Sequence, residues 1–212
     1  MTLEATSNLP VTTGGAVRPL IHPRWVRITH WINALAIFMM IGSGWQIYDA
    51  SPLFRFIYFP SRFALGEWLA GALLWHFAAM WLLVINGIVY VALGIATGRF
   101  RNKLLPIRPR DVWNDFTAAL RGKLSHDDLS VYNAVQRLLY VGVILAGIVI
   151  VLSGVSIWKP VQLKYLTDFF GGYDTARYVH FFAMSSIVAF LTIHIALALM
   201  VPKSLRAMIL GR

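Results

Sequence analysis

Residues 178–201 read YVHFFAMSSIVAFLTIHIALALMV, and this stretch decides the fold. It holds no Asp, Glu, Lys or Arg. As a helix it is longer than the roughly 20 residues needed to cross a hydrocarbon core. His180 and His194 stand fourteen residues apart within it. On a helix that spacing leaves the two side chains roughly 40° apart in direction and roughly 21 Å apart along the axis. One helix face therefore offers imidazoles at two membrane depths.

Three more apolar stretches of spanning length lie upstream, at about 25–48, 68–97 and 132–158. The chain of 212 residues is 58% hydrophobic and 13% charged, with a mean hydropathy of +0.65, which places it outside the range of soluble domains. The runs are continuous rather than alternating and far exceed the roughly 10 residues of a barrel strand. Backbone polar groups in lipid must be satisfied within the segment, so the spans are expected to be helices. The fold class expected is all-α: an integral membrane four-helix bundle. Residues 1–17 are expected to form a flexible tail and 18–212 a single domain. Met1 to Pro23 carries no apolar core of the signal-peptide kind, so the first span should remain in the mature protein. Between spans two and three, Val112, Trp113, Phe116, Ala119 and Leu120 recur at helical spacing, predicting a short interfacial helix over about 111–121. The connections 51–67 and 159–173 are rich in aromatics, Pro and Gly, and are expected to rest at the membrane surface.

A formal charge of +10 is a topology signal in such a chain rather than a sign of nucleic-acid binding. Arg18, Arg24 and Arg27 precede span one, and Lys203, Arg206 and Arg212 follow span four. Arg99, Arg101, Lys103, Arg108, Arg110, Arg121 and Lys123 fill the central connection. The other two connections hold only Arg55, Arg62, Lys159, Lys164 and Arg177. Both termini and the central loop are therefore expected in the cytoplasm, where the basic residues also attract anionic lipid.

This orientation sets a depth for each histidine. His30, early in an outward-running span, lies near the inner face, level with His194. His76, early in an inward-running span, lies in the outer half, level with His180. A single histidine in a membrane helix is commonly a packing or proton-path residue. Four histidines forming two level pairs instead match the need of a bis-histidine haem, twice over. Cysteine is absent, which excludes thiolate clusters and covalent haem attachment, so the expected cofactors are two non-covalent b haems with His30/His194 and His76/His180 as axial ligands. His22, beside Pro23, and His126, in a polar stretch, are expected to be surface or turn residues. Glycine permits close approach of a macrocycle. Gly42 and Gly44 are candidates for haem packing, with Gly87, Gly94, Gly142, Gly147 and Gly154 as further ones. Arg24 and Arg27 on the inner side, and Arg177 on the outer, are candidate propionate partners.

With these residues in view the chain resembles the prokaryotic two-haem cytochrome b family, which includes membrane subunits of nickel–iron hydrogenases, formate dehydrogenases and thiosulfate reductases, and stand-alone bacterial cytochromes. The likeness runs from about Pro23 to Arg212. It rests on Arg27-Ile28-Thr29-His30-Trp31, Trp75-His76, Tyr132-Asn133-Ala134-Val135-Gln136-Arg137, and Val179-His180-Phe181 with His194. The resemblance implies electron exchange through two b haems between a quinone, ubiquinone or menaquinone, and a redox partner. Hydrogenase subunits often have a fifth span. Four spans here are more similar to subunits that accompany a periplasmic molybdopterin-dependent oxidoreductase.

Tyr132, Asn133, Gln136 and Arg137 open span three at the depth of the His30/His194 pair and are candidate quinone contacts, able to hydrogen-bond a carbonyl and reach cytoplasmic protons. Such residues are also ordinary helix caps. A site near Trp158 and Lys159 is the competing location. Two other functional classes remain in view. A stand-alone superoxide:quinone oxidoreductase needs a cationic outer surface, yet the outer connections are nearly balanced in charge. A haem-free transporter or proton pathway needs intramembrane carboxylates or broken helices, and the central portions of the spans hold no Asp or Glu.

Overall fold

The computed structural model describes residues 21–121 and 132–211. Four helices in it are long and apolar enough to cross a membrane: Arg24–Ala50 (α1), Leu69–Ala96 (α2), Ala134–Trp158 (α5) and Tyr173–Met200 (α7). Four shorter ones are Arg99–Leu104 (α3), Pro109–Leu120 (α4), Lys164–Phe169 (α6) and Pro202–Leu210 (α8). No strand occurs among the described residues. The fold is the expected all-α bundle. The tail 1–17 and His126 lie outside the described residues.

Local chemistry sets the ends of these helices. Three spans stop one residue before a proline, at Ser51-Pro52, Lys159-Pro160 and Val201-Pro202, where the pyrrolidine ring disfavours helical backbone in its predecessor. The second stops at Thr97-Gly98, with Gly98 in the left-handed region (φ 65°) that closes helix C-termini. At the start of α5 the Asn133 side chain accepts from the Gln136 backbone while Gln136 accepts from the Asn133 backbone, a capping box. Asp115 of α4 accepts from Ala134 N at 2.7 Å, adding a negative charge at the positive end of the same helix. The interfacial helix expected at 111–121 is thus present two residues earlier and is tied to α5. The last span begins at Tyr173 rather than 178, after Gly172 (φ 98°), which carries the chain from α6 into α7.

The tightest packing lies within two hairpins, α1 with α2 and α5 with α7. Their seams are made of small residues: Ala36, Ala72 and Ala176 are wholly buried, as are Ser43, Ser153 and Ser156. In lipid such residues let helices close on one another without a hydrophobic driving force. Polar locks add to this. Buried Asn86 of α2 donates to Thr29 O at 2.8 Å and to Asn33 Oδ1 at 2.7 Å, both on α1. Across the hairpins, Arg177 of α7 donates to Ser51 O at 2.6 Å, and Tyr48 stacks on Phe181 at 5.1 Å. The first and last described segments meet at one end of the bundle, where Ile21 N donates to Gly211 O at 2.9 Å. The large apolar side chains Ile28, Leu74, Trp81, Ile88 and Leu199 are exposed, as suits surfaces turned toward lipid.

Candidate metal centres

The four span histidines come together in two pairs, each bridging the hairpins. His30 of α1 and His194 of α7 have ring centres 6.0 Å apart, toward the end where Ile21 meets Gly211. His76 of α2 and His180 of α7 have ring centres 6.4 Å apart, toward the other end. A histidine nitrogen bonds a transition metal at about 2.0 Å, so two rings sharing one ion have centres about 6 Å apart. Both pairs meet that spacing. No group of three or more His, Asp or Glu side chains suited to a metal occurs among the described residues. Two imidazoles per site are what haem iron requires, because the porphyrin supplies the other four donors.

The second pair is held from behind by hydrogen bonds. The Ser43 hydroxyl donates to Met39 O at 2.7 Å, so its lone pairs are free to accept from His76 Nδ1 at 3.0 Å. On the facing side the Ser153 hydroxyl donates to Val149 O at 2.7 Å; His180 Nδ1 lies 3.2 Å from Ser153 Oγ and 3.0 Å from Ile150 O. The Ser43 oxygen behind His76, and the Ser153 oxygen with the Ile150 carbonyl behind His180, fix the proton on Nδ1 of both rings. Each Nε2 then presents a lone pair, the tautomer that metal-bound histidines take. A Cβ added to Gly44 would lie 3.5 Å from His76 Cε1, and one added to Gly154 would lie 3.0 Å from His180 Cε1. These glycines leave room for the rings.

The other candidates divide. Gly42 lies against Leu65 and Phe63 of the α1–α2 connection, and Gly94 against the Phe100 ring of α3. Arg27, one turn before His30, donates from Nη2 to Ile209 O at 2.8 Å, while its Nε is buried with no hydrogen-bond partner. Trp45, next to Gly44, stacks on Phe59 at 4.7 Å and likewise has a buried, unpartnered Nε1. An orphan donor buried near each histidine pair is an expensive feature in apolar surroundings. Two acidic groups, such as haem propionates, would satisfy both. The residues present fit a b haem at each pair.

At the end where Ile21 meets Gly211 the structure corrects one expectation. His22 is not a surface residue: it is 7% exposed, and its Nδ1 lies 3.4 Å from Arg99 Nη2. The same Arg99 nitrogen donates to the Tyr132 hydroxyl at 3.2 Å. Burial, followed by the nearby charges of Arg99, His30, Lys103 and Arg27, pushes the His22 pKa down to about 4. Proline-flanked polar sequence gave no hint of this, because Arg99 and Tyr132 arrive from far along the chain. Of the four quinone candidates, Asn133 and Gln136 close the capping box, and Arg137 donates to Tyr132 O at 3.0 Å and to Pro106 O at 3.3 Å. Only the Tyr132 hydroxyl joins the His22 and Arg99 group.

The model of the prokaryotic cytochrome b561 family matches residues 21–211. The chain belongs to this family. Membership implies haem b, in keeping with the paired imidazoles. This cytochrome is also 51% identical, over 191 residues, to a protein of Azospira oryzae named as a candidate protein-methionine-sulfoxide reductase subunit, YedZ1. That alignment covers 90% of this chain and 96% of the relative.

Proposed function

We propose that this cytochrome holds two b haems, one between His30 and His194 and one between His76 and His180, and carries electrons between the quinone pool and a redox partner across a bacterial inner membrane. The observation that supports this most directly is the pair of ring spacings, 6.0 and 6.4 Å, at two levels of one bundle. When bound, each haem supplies one-electron exchange between Fe(III) and Fe(II). The chain's own residues hold, orient and insulate. Arg27 and Trp45 offer buried donors for propionates, and the small-residue seams of the two hairpins keep water out. The concentration of Lys and Arg in the central connection, before α1 and after α7 supports a cytoplasmic position for the Ile21–Gly211 end by the positive-inside rule.

Quinone, ubiquinone or menaquinone, docks at this cytoplasmic end. There the Tyr132 hydroxyl, Arg99 and His22 form a buried polar group near the His30/His194 level, and neutral His22, its Nδ1 facing the Arg99 guanidinium, keeps an Nε2–H that can donate to a quinone carbonyl. Asn133, Gln136 and Arg137 shape the site by fixing the start of α5. The partner stands at the opposite, periplasmic end. The name of the Azospira relative points to a reductase of methionine sulfoxide in proteins, and the chain's likeness to molybdopterin-linked subunits agrees with that class. The stoichiometry closes: quinol oxidation releases two electrons and two protons, and reduction of a sulfoxide to a thioether consumes two of each with release of water. Electrons then run outward.

The test is a reduced-minus-oxidised spectrum with haem quantitation on the wild type, His30→Ala and His76→Ala. Two haems per chain are expected in the wild type, each variant losing a different one, and quinol should reduce the wild type rapidly. One haem per chain, or loss of the same haem in both variants, overturns the reading.

A further inference from the structure

The two hairpins carry one structural device twice. In α1 the order is Met39, Met40, Ser43, Gly44; in α5 it is Val149, Ile150, Ser153, Gly154, at identical spacing. In both, the serine hydroxyl donates to the carbonyl four residues back at 2.7 Å. In both, the serine oxygen receives Nδ1 of a histidine from the partner helix of the same hairpin; at His180 the Ile150 carbonyl also lies 3.0 Å from that nitrogen. In both, the glycine that follows is the residue over which that ring lies. Both serines are wholly buried, so no water competes for these contacts.

The other pair is built differently. Among the described residues His30 meets the edge of Trp31 at 5.3 Å, and His194 stacks on Phe190 at 5.5 Å. An edge or stacked contact with an aromatic ring gives Nδ1–H no acceptor comparable to a carbonyl or hydroxyl oxygen. The two sites thus differ in how strongly their imidazoles are polarised from behind. An acceptor on Nδ1–H raises the basicity of Nε2, and a more basic ligand stabilises the more highly charged iron.

We propose that Ser43 and Ser153 are positioning residues that lower the reduction potential of the haem between His76 and His180, leaving the His30/His194 haem untouched. This rests on the ligand assignment above. A lower potential at the periplasmic end makes that haem the stronger reductant, where an electron has to be handed to the partner. The serines act through the imidazoles and touch neither substrate nor iron.

The test is a redox titration of the purified holoprotein, following each haem's absorbance, for wild type, Ser43→Ala, Ser153→Ala and the double variant. In each single variant one wave is expected to move to higher potential, further in the double variant, while the other wave stays in place. The moving wave must be the one missing from His76→Ala. Unmoved waves, or equal shifts of both, overturn the proposal while leaving the two-haem reading intact. A wild type without two haems overturns both. Should an alanine variant fail to retain haem, Ser43→Cys and Ser153→Cys, close in size but weaker acceptors, carry the test: the same one-wave rise is expected, and wild-type potentials refute it.

Discussion

Gly44 and Gly154 stand at equivalent places, yet their rings lie at different distances. A methyl group on Gly44 would reach His76 Cε1 at 3.5 Å, ordinary contact, whereas on Gly154 it would reach His180 Cε1 at 3.0 Å and Nδ1 at 3.3 Å. His180 has little freedom to yield, since Ser153 and Ile150 hold its Nδ1. Gly154→Ala is therefore expected to lose or shift the His76/His180 haem, with haem content falling toward half, while Gly44→Ala keeps both; haem quantitation distinguishes them. Sequence spacing identified the four histidines because one helix face and a charge-derived orientation suffice to assign depth. It did not single out Gly154 among seven candidate glycines, because only a packed neighbour shows what a Cβ would meet. The serines beside the histidines also passed unnoticed. Ser in a membrane helix is a generic small residue until the ring that bonds it is in place.

Among the elements, α1 and α2 owe their alignment to Asn86 as much as to their alanines. Its amide donates twice to α1, one residue before and three after His30, in a seam where no solvent offers an alternative. Interhelical hydrogen bonds in membranes are worth about 0.6 kcal/mol on average and up to about 1.7. Asn86→Ala is expected to cost about 1–2 kcal/mol in resistance to unfolding in detergent, read as a lowered midpoint with looser retention of the His30/His194 haem. Hydropathy located the spans to within a few residues, save for α7, whose first turns from Tyr173 hold Asp174 and Arg177 and so look like connection. The short helices α3, α6 and α8 were not foreseen. Those at α3 and α8 lie in the basic segments read only as topology markers, that at α6 in the aromatic connection 159–173, and it is their packing on the bundle ends that makes them elements.

On the scale of the whole molecule, two hairpins meet through paired imidazoles and aromatic contacts, and the end where Ile21 meets Gly211 is closed by His22 and Arg99. The neutral form of His22 is the one that fits there, since its pKa falls from 6.5 to about 4 on folding. The unfolded chain then binds more protons between those values, so stability is full above about pH 6.5 and declines as pH drops toward 4. His22→Gln is expected to flatten that slope in thermal-unfolding measurements of the holoprotein between pH 4 and 7. What the amino-acid sequence determined alone is the number of spans, their helical nature, which connections are basic and which histidines fall level with one another, because length, hydropathy and helical period are local quantities. Only the tertiary structure decided which acceptor stands behind each imidazole, which donors are buried without partners, and that His22 is inside. Those are contacts between residues tens of positions apart, made within tenths of an ångström, and no local pattern encodes such distances.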